Sequence, residues 1–231
     1  MSFNFIPLIK LSDAFDDKTK PDFLRQLRHA LITVGFLLLT DFDEYGPNEK
    51  DFEDIKEQGE RFFRLTPEVK QKIEMIHSPH FLGYTRLGNE ITSGKIDWRE
   101  QVDLATELPA PDKQVPIYKQ LEGPNLWPDK QAAPLFRPVV THYFEKMVKL
   151  AVIFRRLVAE AIGLEPTGFE GYFKENQQCK MKIISYPVPP LNKTDQITQG
   201  VGPHKDSDFL TYIYQASDHE NTLQVQNFEG K

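Results

Sequence analysis

Two residues near the end of the chain, His204 and Asp206, have the types and the spacing that a metal site requires. They lie in the segment GVGPHKDSDFLTYIYQ at residues 200–215, just before an apolar, β-branched run. In an extended segment, side chains two residues apart point to the same side, so both could reach one ion. Spacing alone favours a simpler alternative, a polar turn in which Asp206 caps the backbone and His204 is solvated.

An imidazole nitrogen and a carboxylate oxygen together suit a borderline metal such as Fe(II). Two histidines and one carboxylate on one face, with the other coordination positions open, are the arrangement of non-haem iron oxygenases. The open positions accept a co-substrate and then dioxygen. If the pair binds a metal in this way, His204 and Asp206 would be two of the three protein ligands.

The remaining histidines are poor candidates for the third ligand. His77 and His80 flank a proline in a predicted surface loop, whereas His29 and His142 lie within predicted helices. His219 follows in a predicted hairpin turn. Each is interpreted as a packed or solvated side chain.

Composition limits the classes of function. The chain has 231 residues, 39% of them apolar, which is enough for one sizeable core or two small ones. A net charge of −6 argues against nucleic-acid and anionic-membrane partners. No apolar run is long enough to span a membrane, no secretory signal is visible, and Cys179 is the only cysteine. We expect a soluble, cytoplasmic protein.

The elements that must position the pair begin with helices. Helical spacing of apolar residues predicts helices over residues 20–34 (ended by Gly35), 49–64 and 137–162, and Thr66-Pro67-Glu68 is a helix start. Short strands are predicted at residues 5–9 and 36–39. Residues 77–134 are predicted to form loops and short strands.

The pattern then changes to strands, predicted at residues 180–186, 209–215 and 222–228. This order predicts an α+β fold, in which an α/β N-terminal part leads into an antiparallel β-sandwich or barrel. We divide the chain into an N-terminal region at 1–135, a long helix and linker at 136–175, and a barrel region at 176–231.

Short motifs in a fixed order resemble the Fe(II)/2-oxoglutarate-dependent dioxygenases of the isopenicillin N synthase-like family. The resemblance covers nearly the whole chain. The motifs are FIPLI at residues 5–9, VGFL at 34–37, FFRLTPEVK at 62–70, GY at 83–84 with DWRE at 97–100, NLWP at 125–128, SYP at 185–187, and HKD at 204–206 followed by LQV at 223–225. Each motif is weak, but their common order is specific.

This resemblance implies a double-stranded β-helix, or jelly-roll, with a helical N-terminal region. It implies that His204 and Asp206 bind Fe(II) and that Tyr186 contacts the carboxylate of the co-substrate 2-oxoglutarate. Ascorbate is allowed as an auxiliary reductant, and the substrate would be a small metabolite that is hydroxylated, desaturated or cyclised. The family usually has Asn at the position of Ile184, so handling of the co-substrate could differ here.

The distal histidine and the Arg-x-Ser pair of the family have no counterpart in this sequence. Only three predicted strands follow the long helix, whereas a jelly-roll needs about eight. We therefore expect a C-terminally truncated barrel with weak Fe(II) binding and little oxygenase activity. The alternatives are an oxidase of the same fold that needs no 2-oxoglutarate, a non-catalytic binding protein on this scaffold and, more distantly, a metal-dependent hydrolase.

Overall fold

The computed structural model describes residues 3–173, 177–190, 199–219 and 222–230. The chain packs as two compact units. One consists of Met1–Glu53, His142–Glu175 and Gln215–Lys231, and the other of Asp54–Thr141 and Asn176–Tyr214. Each unit combines separate segments of the chain, whereas the predicted regions 1–135, 136–175 and 176–231 are continuous. Those domain boundaries stay a prediction.

The first unit contains a small parallel sheet and the first helix. Strand β1, Leu8–Lys10, pairs with β2, Leu38–Thr40. Helix α1, Lys20–His29, continues as a π-helical turn over Ala30–Val34. Gly35 ends it in the left-handed region, with φ 83°, and its N–H donates to the carbonyl of Ala30 at 2.7 Å. The predicted glycine cap is therefore confirmed. Glycine suits this position because it adopts a positive φ without steric cost.

Two longer helices each have residues in both units. Helix α2 spans Glu49–Phe63 and helix α4 spans Phe136–Ala161, within one or two residues of the predicted bounds. In the first unit, Asp51 accepts hydrogen bonds from Lys146 at 2.7 Å and His142 at 3.0 Å. His142 is thus a partner of a buried carboxylate rather than an isolated surface residue.

The second unit contains the elements that hold the candidate site. A short helix, α3, spans Pro67–Gln71. Strands β3 (Gly83–Thr85), β6 (Glu100–Ala105) and β7 (Lys180–Ser185) form an antiparallel sheet in the order β3-β6-β7. Strands β4 (Glu90–Thr92) and β5 (Lys95–Asp97) form a hairpin through Ser93 and Gly94, both with positive φ, as a two-residue turn requires.

The register of the sheet places different side chains on its two faces. Gln101 is opposite Ile184 and Asp103 is opposite Lys182, so these four share one face. Glu100, Val102 and Leu104 lie on the other face, where Val102 and Leu104 are buried. One face of the sheet is therefore polar and the other packs on the core of the second unit.

The predicted strands at residues 209–215 and 222–228 are wrong for the described part of this region, where 199–219 and 222–230 contain no strand. β-propensity indicates that a residue fits a pleated, half-buried surface, but a strand also needs a hydrogen-bonded neighbour. Ile213 and Phe228 are largely exposed, so the apolar face expected for these segments is not buried here.

The helices do not meet the requirements for a membrane span. Within residues 3–173 and the later described segments, no helix combines the length and the apolar character needed to cross a bilayer.

Candidate functional site

His204 and Asp206 lie next to each other on an irregular segment of the second unit. His204 Nε2 is 3.4 Å from Asp206 Oδ1, and the two side chains are 49% and 46% exposed. His204 Nδ1 lies 2.8 Å from the carbonyl oxygen of Gly202. A carbonyl oxygen can only accept, so Nδ1 carries a proton, and in the Nδ1-protonated tautomer Nε2 is an acceptor.

This geometry fits a cation bound between the two side chains. In this tautomer Nε2 and Oδ1 are both acceptors, and two facing acceptors repel unless a proton or a cation lies between them. Two donor atoms bound at about 2.1 Å to one ion lie about 3.0 Å apart at a right angle and about 3.4 Å apart at the tetrahedral angle. The observed separation lies within this range, and the imidazole–carboxylate set suits Fe(II).

A third protein ligand is not found near the pair in the part of the chain that the structure describes. No group of three or more His, Cys, Asp and Glu side chains there is arranged to hold a metal. His219 is exposed, and its carbonyl accepts from the side chain of Gln215. His80 is buried, contrary to the predicted surface loop, and its Nδ1 contacts the carbonyl of Gln120 at 2.7 Å.

Asp97, at the end of β5, connects the hairpin to the segment that carries His204. Its side chain is fully buried. Oδ2 accepts from the hydroxyl of Thr92 at 2.6 Å, and Oδ1 accepts from the amide of Gln199 at 2.8 Å and from the N–H of Gly202 at 3.3 Å. The sequence identified Asp97 only as part of the DWRE motif, because nothing in the motif shows what its carboxylate would bind.

Arg99 lies between the acidic residues of this region and the predicted co-substrate residue. Its Nη2 is 2.9 Å from Glu90 Oε2 and 3.5 Å from Asp97 Oδ2. Burial opposes the charge, but a hydrogen bond with Tyr186 and the carboxylates of Glu90 and Asp97 outweigh it and raise the pKa of Arg99 above its usual value. The guanidinium therefore stays charged beside Tyr186.

Tyr186 follows β7 and is 51% exposed. Its ring lies against Gly200, where an added Cβ would come within 2.8 Å of Tyr186 Cδ1. Tyr186 is thus close to the segment that carries His204, through a contact that only glycine permits. Its predicted role in binding 2-oxoglutarate stays a prediction, as do the ligand roles of His204 and Asp206.

A polar stripe, defined by Gln101, Asp103 and Lys182, continues along the same face of the sheet as Ile184. Gln101 Nε2 donates to Asp103 Oδ2 at 2.7 Å and to Glu90 at 3.3 Å. Lys182 Nζ is 3.2 Å from Asp103 Oδ1. Polar side chains of β6 and β7 thus lie on the same face of the sheet as Ile184.

Three residues of the family-like motifs form a separate cluster, the Lys70 cluster, defined by Lys70, Tyr84 and Glu100. Lys70 Nζ donates to Glu100 Oε2 at 2.7 Å and to the carbonyl of Phe63 at 3.0 Å, and the hydroxyl of Tyr84 donates to the same Glu100 oxygen at 2.6 Å. Burial and then the Glu100 hydrogen bond raise the pKa of Tyr84 well above its usual range. The sequence reasoning missed this cluster, because its members are far apart in the chain.

Comparison with known proteins gives consistent results. Residues 6–130 match the family described as the non-haem dioxygenase in morphine synthesis, N-terminal. The 2-oxoglutarate-dependent dioxygenase frbJ of Dothideomycetidae sp. (strain 11243) is 47% identical over 231 residues, which cover 100% of this chain and 61% of that protein. Homoarginine-6-hydroxylase 2-ODD-C23 of Glycine max is 33% identical over 241 residues, covering 99% of this chain and 71% of that protein.

A solved structure shows the same fold at lower identity. A full-length Neurospora crassa protein in complex with alpha-KG and thymine superposes with a TM-score of 0.65 and 22% identity, over 82% of this chain and 58% of that one. Such oxygenases have a jelly-roll fold, and the described residues of this chain share part of it. Together, the family match and the relatives establish that this chain belongs to the Fe(II)/2-oxoglutarate-dependent dioxygenase family.

Proposed function

We propose that this chain carries the metal-binding pair and part of the co-substrate site of an Fe(II)- and 2-oxoglutarate-dependent oxygenase. The observation that supports the proposal most directly is the His204–Asp206 pair, with Nε2 and Oδ1 facing each other at 3.4 Å and Nδ1 fixed by Gly202. Since the chain spans 61% of the frbJ relative, the activity is proposed for a protein that contains these residues, at the length of its relatives.

In this proposal His204 and Asp206 hold Fe(II), and the third ligand comes from a part of the protein that the described residues do not include. Bound iron would supply oxygen activation, coupled to conversion of 2-oxoglutarate into succinate and CO₂. Tyr186, beside the charged Arg99, would donate a hydrogen bond to a carboxylate of 2-oxoglutarate. The charge of Arg99 is balanced by Glu90 and Asp97, so its proposed part is to orient Tyr186.

The reaction proposed is oxidation of a small metabolite, with hydroxylation as the simplest outcome. The named relatives support this class, because one is a homoarginine hydroxylase and a structural neighbour was solved with thymine. Lys182, whose side chain is 45% exposed and whose Nζ is 3.2 Å from Asp103 Oδ1, would offer a cation to such a substrate. We therefore propose a polar substrate over a purely apolar one.

The experiment is anaerobic binding of 2-oxoglutarate to residues 1–231, measured by calorimetry with and without Fe(II). We expect Fe(II)-dependent binding that is lost in His204→Ala and Asp206→Ala and weakened about 10-fold in Tyr186→Phe, since a hydrogen bond to a charged group contributes about 1.5–3 kcal/mol. Tyr172→Phe, at an exposed tyrosine of the other unit, is the control. Equal binding by the wild type and His204→Ala would contradict the proposal.

Turnover is a second, independent measurement. With Fe(II), ascorbate and 2-oxoglutarate, we expect residues 1–231 to form little succinate, because a pair of ligands retains iron less firmly than a triad. Robust succinate formation by these residues alone would show that the described ligands are sufficient and would overturn this expectation.

A further inference from the structure

Asp97 is a fully buried carboxylate of the hairpin. Burying such a charge is costly unless hydrogen bonds or opposite charges replace water. Asp97 receives four such contacts, from Thr92, Gln199, Gly202 and, at 3.5 Å, Arg99. These contacts offset the cost of burying the Asp97 carboxylate, so the side chain is held in place by several hydrogen bonds at once.

Two of the four partners belong to the segment that carries His204. The Gln199 amide and the Gly202 N–H both donate to Oδ1, whereas Thr92 and Arg99 approach Oδ2. A backbone hydrogen bond from the N–H of Trp98 to the carbonyl of Gln199, at 3.1 Å, adds a second connection. Oδ2 thus accepts a hydrogen bond from Thr92 of the hairpin, and Oδ1 accepts hydrogen bonds from the segment that carries His204.

Gly202 joins Asp97 to the imidazole of His204 through two hydrogen bonds. Its N–H donates to Asp97 and its carbonyl accepts from His204 Nδ1 at 2.8 Å. A Cβ at this position would lie 3.0 Å from the Gln199 amide and from Thr92 Cγ2, so Gly202 is tightly enclosed on that side. The carbonyl that sets the His204 tautomer is therefore held in place by contacts that converge on Asp97.

We propose that Asp97 is a positioning residue for His204: through Gly202 it holds the imidazole with Nδ1 protonated and Nε2 free to bind a metal. The inference deepens the proposed function and rests on it for the identity of the ligand pair. Partners of this outer kind fix the tautomer and orientation of a metal-binding histidine, and their loss costs about 10–100-fold in metal affinity.

The test uses residues 1–231 with the variants Asp97→Ala and Asp97→Asn. Glu100→Gln is the matched control, because Glu100 is also a largely buried carboxylate of the second unit but lies in the Lys70 cluster and has no described contact with Gly202 or His204. The first readout is the ¹⁵N NMR signature of the His204 ring tautomer, recorded without metal. The second is Co(II) affinity, measured by titration of the visible absorbance.

We expect the wild type and Glu100→Gln to show the Nδ1-protonated tautomer and Co(II) affinities within about 2-fold of each other. Asp97→Ala should populate the Nε2-protonated tautomer and bind Co(II) about 10–100-fold more weakly. Asp97→Asn keeps the shape and an oxygen for Gly202, so its loss should be smaller than that of Asp97→Ala and larger than that of Glu100→Gln. If Asp97→Ala does not fold, Asp97→Asn decides the question.

A wild-type tautomer and wild-type Co(II) affinity in the folded Asp97 variants would overturn the inference. So would an equal loss in Glu100→Gln, since that would indicate a general effect of removing a buried charge. If the wild type binds no Co(II) but the tautomer still changes in Asp97→Ala, the positioning role stands and the proposed metal site fails. The tautomer measurement therefore separates the two proposals.

Discussion

The Lys70 cluster and the His204–Asp206 pair are both polar groups of the second unit, yet they differ in how completely their atoms are paired. Lys70 and Glu100 are mostly buried, and Glu100 accepts from both Lys70 and Tyr84. His204 and Asp206 are about half-exposed, and His204 Nε2 faces Asp206 Oδ1 at 3.4 Å. The difference indicates that the first group stabilises the fold, whereas the second is the pair that we propose binds a metal ion.

The largest predicted effect comes from breaking the buried ion pair. Lys70→Ala leaves the Glu100 carboxylate buried without its cation, so the free energy of unfolding should fall by about 3–5 kcal/mol. Urea denaturation followed by circular dichroism measures this change. Lys72→Ala, at an exposed lysine of the same region, is the control and should change stability by less than about 0.5 kcal/mol. Similar losses of unfolding free energy in both variants would show that the Lys70 cluster does not contribute more to stability than an exposed lysine.

Removing His204 or Asp206 should have the opposite effect, with little change in stability and a large loss of metal affinity. In His204→Ala and Asp206→Ala, stability should change by less than about 1 kcal/mol, because these side chains are half-exposed. Co(II) affinity should fall at least about 100-fold, beyond the usual effect of an outer partner. His219→Ala and Asp208→Asn, both at exposed positions, should leave affinity unchanged. A loss of several kcal/mol in stability would place the pair among the structural groups instead.

A smaller effect is expected from one hydroxyl of the Lys70 cluster. Tyr84→Phe removes the donor at 2.6 Å from Glu100 but keeps the aromatic packing and the ion pair with Lys70. Because hydrogen bonds to charged groups contribute about 1.5–3 kcal/mol, the free energy of unfolding should fall by about 1.5 kcal/mol. An unchanged denaturation midpoint would mean that Glu100 does not depend on this donor.

Alkaline pH gives the smallest effect and tests the same hydroxyl. The folded pKa of Tyr84 is raised, so above pH ~10 the unfolded chain loses this proton while the folded chain keeps it. The unfolded state then binds fewer protons, and stability should fall by about 1 kcal/mol per pH unit from this residue. The slope should be shallower by that amount in Tyr84→Phe. Identical slopes for the two proteins would contradict the assigned pKa direction.

The sequence predicted the helices of this chain well and its last strands badly. Helices α2 and α4 begin and end within one or two residues of their predicted bounds, because their hydrogen bonds and apolar periodicity are local. The segments 209–215 and 222–228 have strand-like composition, but the structure describes no strand in them. A strand depends on a distant partner, and composition does not show whether one is available.

For the candidate site, the sequence identified the chemical groups but not their surroundings. His204 and Asp206 could be proposed because two residues two apart in an extended segment lie on the same side, which is a local property. Asp97 and Arg99 were recognised only as letters of a motif. Their roles depend on contacts to Gln199, Gly202 and Tyr186, which are distant in the chain.

By itself, therefore, the sequence determined the family, the helices and the candidate metal-binding pair, because motif order and short-range spacing do not depend on contacts between distant residues. Only the tertiary structure decided which polar residues are buried in hydrogen-bonded groups and which stay half-exposed. Burial sets this difference, since a carboxylate removed from water must find donors wherever the fold brings them. Glu100 finds them in Lys70 and Tyr84, whereas Asp206 stays half-exposed, with Oδ1 3.4 Å from His204 Nε2.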